Sequence, residues 1–391
     1  MTTTTVSQTS TQKFNYQEVV SITSGHFIHD TFTAFLPPLL PLLIEKLSLS
    51  LTLAGALTTF SQYPAILTPF IGYLADKLSL RYFVIFAPAI TATFSSLLGL
   101  APNYALLALL LLVVGISSAV FHAPAPAMIA QVSGDQVGKG MSFFMAGGEL
   151  GRTVGPILAV WTVSMWTLEG LPRLMVIGWG SSLILLWQFR SVPARPEPPH
   201  NLRLLGPQFM HLFTPLVGIL FLRNFLVAGL QVYLPTYLNL KGVSLTTAGI
   251  SLSIWELAGV CGVLLSGTLS DKLGRRRVLQ VFFFISALLT FAFLYTPGWL
   301  TIPTLVVFGF FALSSNPVIL AIVQDHFPNN RAIANGIYIS MAFLILPIAT
   351  IITGLIGDAF GLHTAFLGGG FATLLAIPLL WLLPDQKQKE G

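Results

Sequence analysis

The sequence predicts an all-α membrane protein of twelve transmembrane helices arranged as two pseudo-symmetric six-helix bundles, and three observations predict it. Of 391 residues 54% are hydrophobic and only 8% are charged, with a mean hydropathy of +0.81, too little polar surface for a chain that folds in water. About twelve apolar runs separated by short connections each approach the roughly 20 residues that one helical crossing needs. A charged segment recurs at half-length: Gly72-Tyr73-Leu74-Ala75-Asp76-Lys77-Leu78-Ser79-Leu80-Arg81 is echoed by Gly267-Thr268-Leu269-Ser270-Asp271-Lys272-Leu273-Gly274-Arg275-Arg276-Arg277, with Asp76 and Asp271 195 residues apart. A duplicated bundle requires that echo.

Taken in order, the chain opens with a Thr- and Ser-rich cytoplasmic tail, 1–18, too polar to be a cleaved signal peptide. The apolar runs are Val19–Ile44, Leu53–Leu74, Tyr82–Leu100, Tyr104–Ala130, Met141–Trp166 and Leu174–Phe189, then Pro215–Leu238, Ala248–Leu269, Val278–Tyr295, Leu300–Val323, Ala332–Ile356 and Thr364–Leu383. They form an N-terminal bundle, 19–190, and a C-terminal bundle, 214–384. Between them Arg190-Ser-Val-Pro-Ala-Arg-Pro-Glu-Pro-Pro-His200 reads as a proline-stiffened cytoplasmic linker, 191–213, and 385–391 forms a second cytoplasmic tail. Loop cations collect on one side, whereas the other carries only Lys46, Arg173 and Lys241, so both termini are placed in the cytoplasm of a multi-pass plasma or inner membrane protein.

The net charge of +5 is spread over many short connections and implies no nucleic-acid partner. The single cysteine, Cys261, excludes an intrachain disulfide framework and is expected to be a packing residue. No cofactor is implied; protons, membrane lipids and a small molecule are the partners such a chain needs, and it is expected to be a monomer.

Several ionisable residues lie inside apolar runs, where charge is expensive. His26 and Asp30 are four apart and share a helical face. The pair reads as a proton carrier facing a cavity or as a buried hydrogen bond between helices; His26, His29 and Asp30 as a metal site lack further ligand-type residues at suitable spacing. In the fifth run, small residues at Gly147, Gly151 and Gly155 recur every four positions and allow close backbone approach, with Pro156 bending the helix. Glu149 and Arg152, three apart, can pair there for structure or for function. Arg223 needs a carboxylate, carbonyls or an anionic ligand unless it snorkels to the membrane edge. Glu256 reads as a second proton site or an interhelical tie, and Asn316-Pro317 mirrors His122-Ala123-Pro124 as cavity lining or a simple kink.

The two charged loops resemble the Gly-x-Leu-(Ser/Ala)-Asp-(Arg/Lys)-x-Gly-Arg-(Arg/Lys) signature of the major facilitator superfamily. The later copy matches fully, while Ser79 and Leu80 depart from it in the earlier one. The resemblance implies that Gly72, Asp76, Arg81, Gly267, Asp271 and Arg275 act as latches at the cytoplasmic face without touching substrate. Gly151-x3-Gly155-Pro156 is similar to a fifth-helix motif of that superfamily's antiporters. Together, His26-x3-Asp30, Pro37 to Pro41, Gly115-x2-Ser118-Ala119-x-Phe121-His122, Gly147-Gly148-x-Leu150-Gly151 and Gln324-Asp325-x2-Pro328-x2-Arg331 resemble the fosmidomycin-resistance family of efflux transporters. Where that family has Phe-His-Pro-Glu, this chain has Phe121-His122-Ala123-Pro124, and where it has Gly-Gly-Asn, this chain has Glu149. A cavity carboxylate has thus moved from the fourth helix to the fifth.

The resemblance implies a proton-coupled carrier that exports a small amphiphilic or anionic compound by alternating access. Asp30, Glu149 and Glu256 are its candidate proton sites, and His26, His122, Arg152, Arg223 and Asn316 its candidate substrate contacts. Protonation of Asp30 or Glu149 is expected to free Arg152 or His122 for substrate. An uptake symporter of the same fold is the nearest alternative. A membrane-embedded enzyme using His26, His29 and Asp30 is the alternative from another class, although no Ser or Cys nucleophile motif accompanies them.

Overall fold

Backbone amides find no water in hydrocarbon, so a chain this apolar must close its hydrogen bonds within its own elements. The computed structural model describes residues 13–68, 70–71, 81–189, 207–327 and 331–383, and among these the regular elements are all helical. They are α1 (Tyr16–Thr33), α2 (Leu36–Leu47), α3 (Leu51–Gln62), α4 (Arg81–Ser96), α5 (Tyr104–His122), α6 (Ala125–Ser133), α7 (Val137–Trp166), α8 (Met175–Phe189), α9 (Pro207–Leu240), α10 (Leu245–Leu273), α11 (Arg275–Tyr295), α12 (Thr301–Leu313), α13 (Ser315–His326) and α14 (Arg331–Leu379), with short 3-10 turns between some of them.

Among the described residues nine segments are long and apolar enough to cross a membrane. Two of these, 104–166 and 334–382, fold back once and each hold two crossings, and the crossing that begins with α3 brings the tally to twelve. The fold-back in α14 falls at Gly361, whose φ of 82° suits a residue without Cβ.

Among the described residues, breaks in the first, fourth and tenth crossings fall where the sequence removes a backbone donor, and the second passes into a 3-10 turn at Tyr63-Pro64. α1 stops at Thr33, and α2 restarts with Pro37 and Pro38 in its first turn, where no N–H is needed. The fourth crossing breaks at Ala123-Pro124 and the tenth at Ser314, just ahead of Pro317. α7, by contrast, runs unbroken through Pro156. The turns are capped by short polar side chains: Ser50, Asn103 and Ser244 each accept from a backbone amide three residues on.

The core reports how the two halves meet. Toward the end that carries the turns 48–50 and 241–244, one cluster joins both halves, with Phe32, Leu39 and Leu57 packed in the same core as Tyr233, Leu252, Trp255 and Phe366. Toward the end that carries the chain termini, each half keeps a core of its own. Val19, Phe121, Ile129 and Phe189 build the first, and Leu212, Leu279, Val318 and Leu380 the second.

Hydrogen bonds reinforce the shared end. Asp358 accepts from Leu51 N at 2.7 Å, Thr52 N at 2.9 Å and Thr52 Oγ1 at 2.6 Å, while the Tyr233 hydroxyl donates to Leu51 O at 2.7 Å. The Thr58 and Thr350 hydroxyls meet at 2.8 Å.

Three boundaries or placements differ from the sequence reading. The first helix begins at Tyr16 rather than after residue 18, because the Asn15 side chain caps it by accepting from Glu18 N. The seventh crossing begins at Pro207, so the part of the linker that precedes it, with the far ends of both tails, lies outside the described residues. Cys261 is exposed on α10 rather than packed.

Candidate functional site

The site grows from α1. Because α-helical side chains three and four apart share a face, His26, His29 and Asp30 project from one side of this helix toward α5 and α7. Asp30 is only 2% exposed, yet four cationic or potentially cationic groups surround its carboxylate. His26 Nε2 lies 3.3 Å and Arg152 Nη1 3.1 Å from Oδ2. His122 Nε2 lies 3.6 Å and His29 Nε2 4.0 Å from Oδ1.

The small-residue stripe of α7 creates this proximity. A Cβ at Gly147 would stand 2.7 Å from Thr23 Cγ2, at Gly151 2.4 Å from Phe27 O, and at Gly155 2.3 Å from Thr31 O. α7 therefore lies directly on the backbone of α1, as the four-residue spacing predicts. Gly148 sits at the centre of the contact, where a Cβ would meet His26 Nε2 at 2.6 Å and Asp30 Oδ2 at 3.0 Å. One helical turn on, Arg152 reaches Asp30 and Glu149 together, the second through a close Nη2 to Oε1 ion pair. The predicted Glu149–Arg152 pair thus forms, and it is joined to Asp30 across the helix interface.

Exposure grades outward from Asp30. The side chains of Glu149, His122 and Arg152 are 25%, 35% and 36% exposed, although Glu149 and Arg152 lie midway along α7 and His122 ends α5 within the fourth crossing. These three side chains are partly exposed, whereas Asp30 and His26 are buried. The break at Ala123-Pro124 makes His122 the last residue of α5, so its ring sits at the negative end of a helix dipole.

The second-half residues are placed differently. Glu256, on α10, is buried and accepts from Gln231 Nε2 at 2.9 Å, and its charge acts on both Arg152 and Glu149. Arg223 is 4% exposed. Its partners are Ala312 O at 3.2 Å and Asn224 Oδ1 at 3.4 Å, so carbonyl groups hold it rather than a carboxylate. Asn316 is exposed in the first turn of α13.

In the second charged loop, Arg275 pairs with Asp271 at 2.7 Å and with Asp325 at 2.9 Å, and donates to Ser270 Oγ at 2.7 Å. Gly274, with φ of 92°, is the position where the signature needs a glycine. Gly267 has no neighbour within 4 Å of an added Cβ, and Arg81 opens α4. Gly72 and Asp76 lie outside the described residues.

Several participants carry no sequence signal. His26 Nδ1 bonds Phe144 O at 2.8 Å. His29 Nδ1 bonds Thr91 Oγ1 at 3.0 Å, and Thr91 donates to Ser117 Oγ at 2.9 Å. Lone hydroxyls such as these look like ordinary packing residues in an apolar run, and Gln231 is no more conspicuous.

His26, Asp30 and His122 bring donor atoms within 4.8 Å of one another, a spacing that would suit a metal ion. Arg152 already supplies the positive charge on Asp30, so the guanidinium stands where a divalent cation would be repelled.

Twelve crossings in two halves, with a partly exposed ionisable cluster inside the first, have the frame of a membrane transporter. The sequence matches the family described as Major Facilitator Superfamily over residues 22–313 and 299–391. The chain belongs to this superfamily, whose members are transporters of small molecules rather than enzymes, and this sets aside the enzyme reading of His26, His29 and Asp30. It is 26% identical over 388 residues to the fosmidomycin resistance protein of Escherichia coli (strain K12), covering 95% of this chain and 93% of that protein. It is 24% identical over 391 residues to an uncharacterized MFS-type transporter of Bacillus subtilis (strain 168), covering 96% and 95%. The fold is shared with the crystal structure of a D-xylose-proton symporter at a TM-score of 0.74 and 18% identity, covering 95% and 98% of the two chains.

Proposed function

We propose that this transporter exports a small amphiphilic or anionic compound in exchange for protons, by alternating access between its two bundles. The observation that carries the reading is Arg152, a partly exposed guanidinium held between Asp30 and Glu149 within the first half. An amphiphilic or anionic solute that offers a hydrogen-bond donor such as a hydroxyl to these oxygens competes with the proton for them, and such competition is what exchange requires. The likeness to a fosmidomycin resistance protein supports the outward direction. Separate cores at the termini end and a shared core at the other support a cytoplasm-facing opening, if the loop cations set the orientation. In this reading Glu256 is a second proton site across the cavity, and His26, His122, Arg223 and Asn316 contribute to binding. The Asp271–Arg275–Asp325 cluster latches the cytoplasmic face together with Gly72, Asp76, Arg81 and Gly267. The carrier acts as a monomer in the cell membrane, with both termini cytoplasmic and the two bundles joined by the linker.

One observation favours co-transport instead. An acid that binds Arg152 leaves Asp30 and Glu149 without their cation and so promotes their protonation, which makes proton and acid bind together. Proteoliposomes with an imposed pH gradient separate the two, with fosmidomycin as the acidic probe and a neutral amphiphile beside it. Exchange predicts solute moving against the proton. Solute accumulating with an inward proton flux overturns export, and solute flux indifferent to the gradient overturns proton coupling altogether.

A further inference from the structure

The hydrogen bonds around His29 fix where its lone pair points. Ser117 Oγ lies 3.4 Å from Ala87 O and donates to it, and Thr91 Oγ1 donates to Ser117 Oγ at 2.9 Å. A hydroxyl has one proton. With that proton spent on Ser117, Thr91 can only accept from His29, whose Nδ1 lies 3.0 Å away. Neutral His29 therefore carries its hydrogen on Nδ1 and presents a bare Nε2.

That Nε2 faces Asp30 Oδ1 at 4.0 Å. Both atoms are buried, and neither has a hydrogen-bond partner. Two buried acceptors opposed in this way, neither with a donor from the protein, form a place that a proton can bridge. The same argument gives neutral His26 a bare Nε2 as well, but one that faces the other carboxylate oxygen, to which a donor is already bound. Its Nδ1 must donate to Phe144 O, and its Nε2 stands 3.3 Å from Asp30 Oδ2, where Arg152 also binds. Oδ2 thus has its donor, whereas Oδ1 has no hydrogen bond, with His122 Nε2 3.6 Å away.

We propose that the gap between Asp30 Oδ1 and His29 Nε2 is the seat of the exchanged proton, and that His29 is a positioning residue held in the required tautomer by the Thr91–Ser117 hydroxyl chain. The inference rests on the proton-coupled reading given above and deepens it. A proton arriving from the opening reaches Oδ1 past His122, which is partly exposed and 3.6 Å from that oxygen. Once bound to Oδ1, it donates to the His29 Nε2 lone pair as the two atoms close to hydrogen-bond length. Asp30 then loses its negative charge, so its ion pair with Arg152 weakens and the guanidinium turns to Glu149 and Glu256. When the proton leaves by the same oxygen, the opposed lone pairs separate and Asp30 returns to Arg152. The charged groups that face this gap are His26 from α1 itself, His122 from α5, and Arg152 and Glu149 from α7. The third and sixth crossings meet α1 there with neutral residues, Thr91 among them.

The test uses the full chain in lipid nanodiscs with [15N]histidine, the His29 signals being assigned among the seven histidines by comparison with His29→Gln. At alkaline pH the expected spectrum shows His29 protonated on Nδ1 and bare on Nε2. On acidification, the His29 Nε2 shift is expected to move in step with the infrared carboxyl band that Asp30→Asn deletes. Thr91→Val removes the hydroxyl acceptor and leaves only the Ala87 carbonyl beside the ring, so a larger share of His29 is expected to carry its hydrogen on Nε2 and donate to Asp30, which displaces the carboxyl midpoint toward acid; Thr91→Ser is expected to restore both. A wild-type His29 with its hydrogen on Nε2 overturns the proposal. So does a Thr91→Val protein, folded by its circular dichroism, whose tautomer and carboxyl midpoint match wild type. Because these readouts need no solute and no gradient, they stand apart from the transport assay: flux indifferent to pH with the tautomer as stated sinks the coupling reading and leaves the geometry of His29 intact.

Discussion

Asp358→Asn isolates the contact that holds the two halves together at the end away from the termini. The native carboxylate accepts from the backbone amides of Leu51 and Thr52 and from the Thr52 hydroxyl, so a residue of the second half caps the first turn of α3 in the first half. Asparagine keeps one acceptor oxygen but loses the negative charge and the second acceptor. Losing a helix cap costs about 1 kcal/mol, and a charge at a helix N-terminus adds about 0.3–1 kcal/mol before salt screens it. Asp358 is exposed, so the charge portion is the one to discount. A net change of about 1 kcal/mol multiplies the population open at this end roughly fivefold. Spin labels on Glu169 and Lys241, one per half and both near this end, would report it as a longer-distance population in a Cys261→Ser background. Tyr233→Phe removes the neighbouring donor to Leu51 O. It should add to the shift less than independently, because both contacts hold the same turn. An unchanged distance distribution in Asp358→Asn, or one moved toward closure, refutes the argument that this cap keeps the end shut.

Arg152→Gln removes the cation shared by Asp30 and Glu149; binding of acidic compounds should weaken by roughly 10- to 100-fold, the worth of one charge-assisted hydrogen bond, and binding of neutral analogues much less, as read by thermal shift or calorimetry. Equal losses would show that Arg152 does not recognise charge. Gly151→Ala drives a methyl to 2.4 Å from Phe27 O, a backbone atom that cannot swing aside; the cost is about 1–3 kcal/mol, visible as a lower melting temperature, whereas Gly180→Ala, with open space around it, should match wild type. Gly274→Ala meets no neighbour but must hold φ near 92°, a strain of about 1–2 kcal/mol; it should lower stability and loosen the Arg275–Asp325 contact in hydrogen exchange.

The sequence discloses whatever depends on spacing within one helix. His26 and Asp30 are read as a pair because four residues make one turn, and Glu149 with Arg152 because three nearly do. The glycines of α7 announce a close helix neighbour by their period alone. Which neighbour is another matter: that Arg152 reaches Asp30 follows only once Gly147, Gly151 and Gly155 are seen to lie on Thr23, Phe27 and Thr31. Thr91 and Ser117 stay silent in the sequence because one hydroxyl in a bilayer helix can satisfy itself on its own backbone and carries no period. Arg223 shows the reverse limit. Its need for a partner is plain from its place in an apolar run, yet the partner is Ala312 O, a carbonyl just before the break of the tenth crossing. Asp358 looks like any solvated loop acid until the first half is folded against it.

The duplication explains the frame and not the site. Shifted by the 195 residues that relate the two charged loops, His26 and Asp30 fall on Phe221 and Phe225, His122 on Pro317, and Glu149 and Arg152 on Leu344 and Pro347. His26, Asp30, His122, Glu149 and Arg152 thus have apolar counterparts in the second half and His29 falls on the uncharged Asn224, while the charged loops and the broken fourth and tenth crossings persist in both. A charge set present in one half only cannot be a requirement of the bundle, since the other half folds without it. Burying Asp30 among three histidines and an arginine is costly unless each is paired, and the second half avoids that cost with phenylalanine. Fold alone therefore leaves the cluster of the first half unaccounted for, and a task for which opposite charges must separate and rejoin accounts for it. By the same logic two carboxylates of the second half outside its charged loop have separate work: Glu256 reaches across to Arg152 electrostatically, and Asp358 holds the far end closed. Chemistry concentrated in one half and closure supplied by the other is an arrangement in which a change of protonation at Asp30 can be felt as a change in how the halves fit.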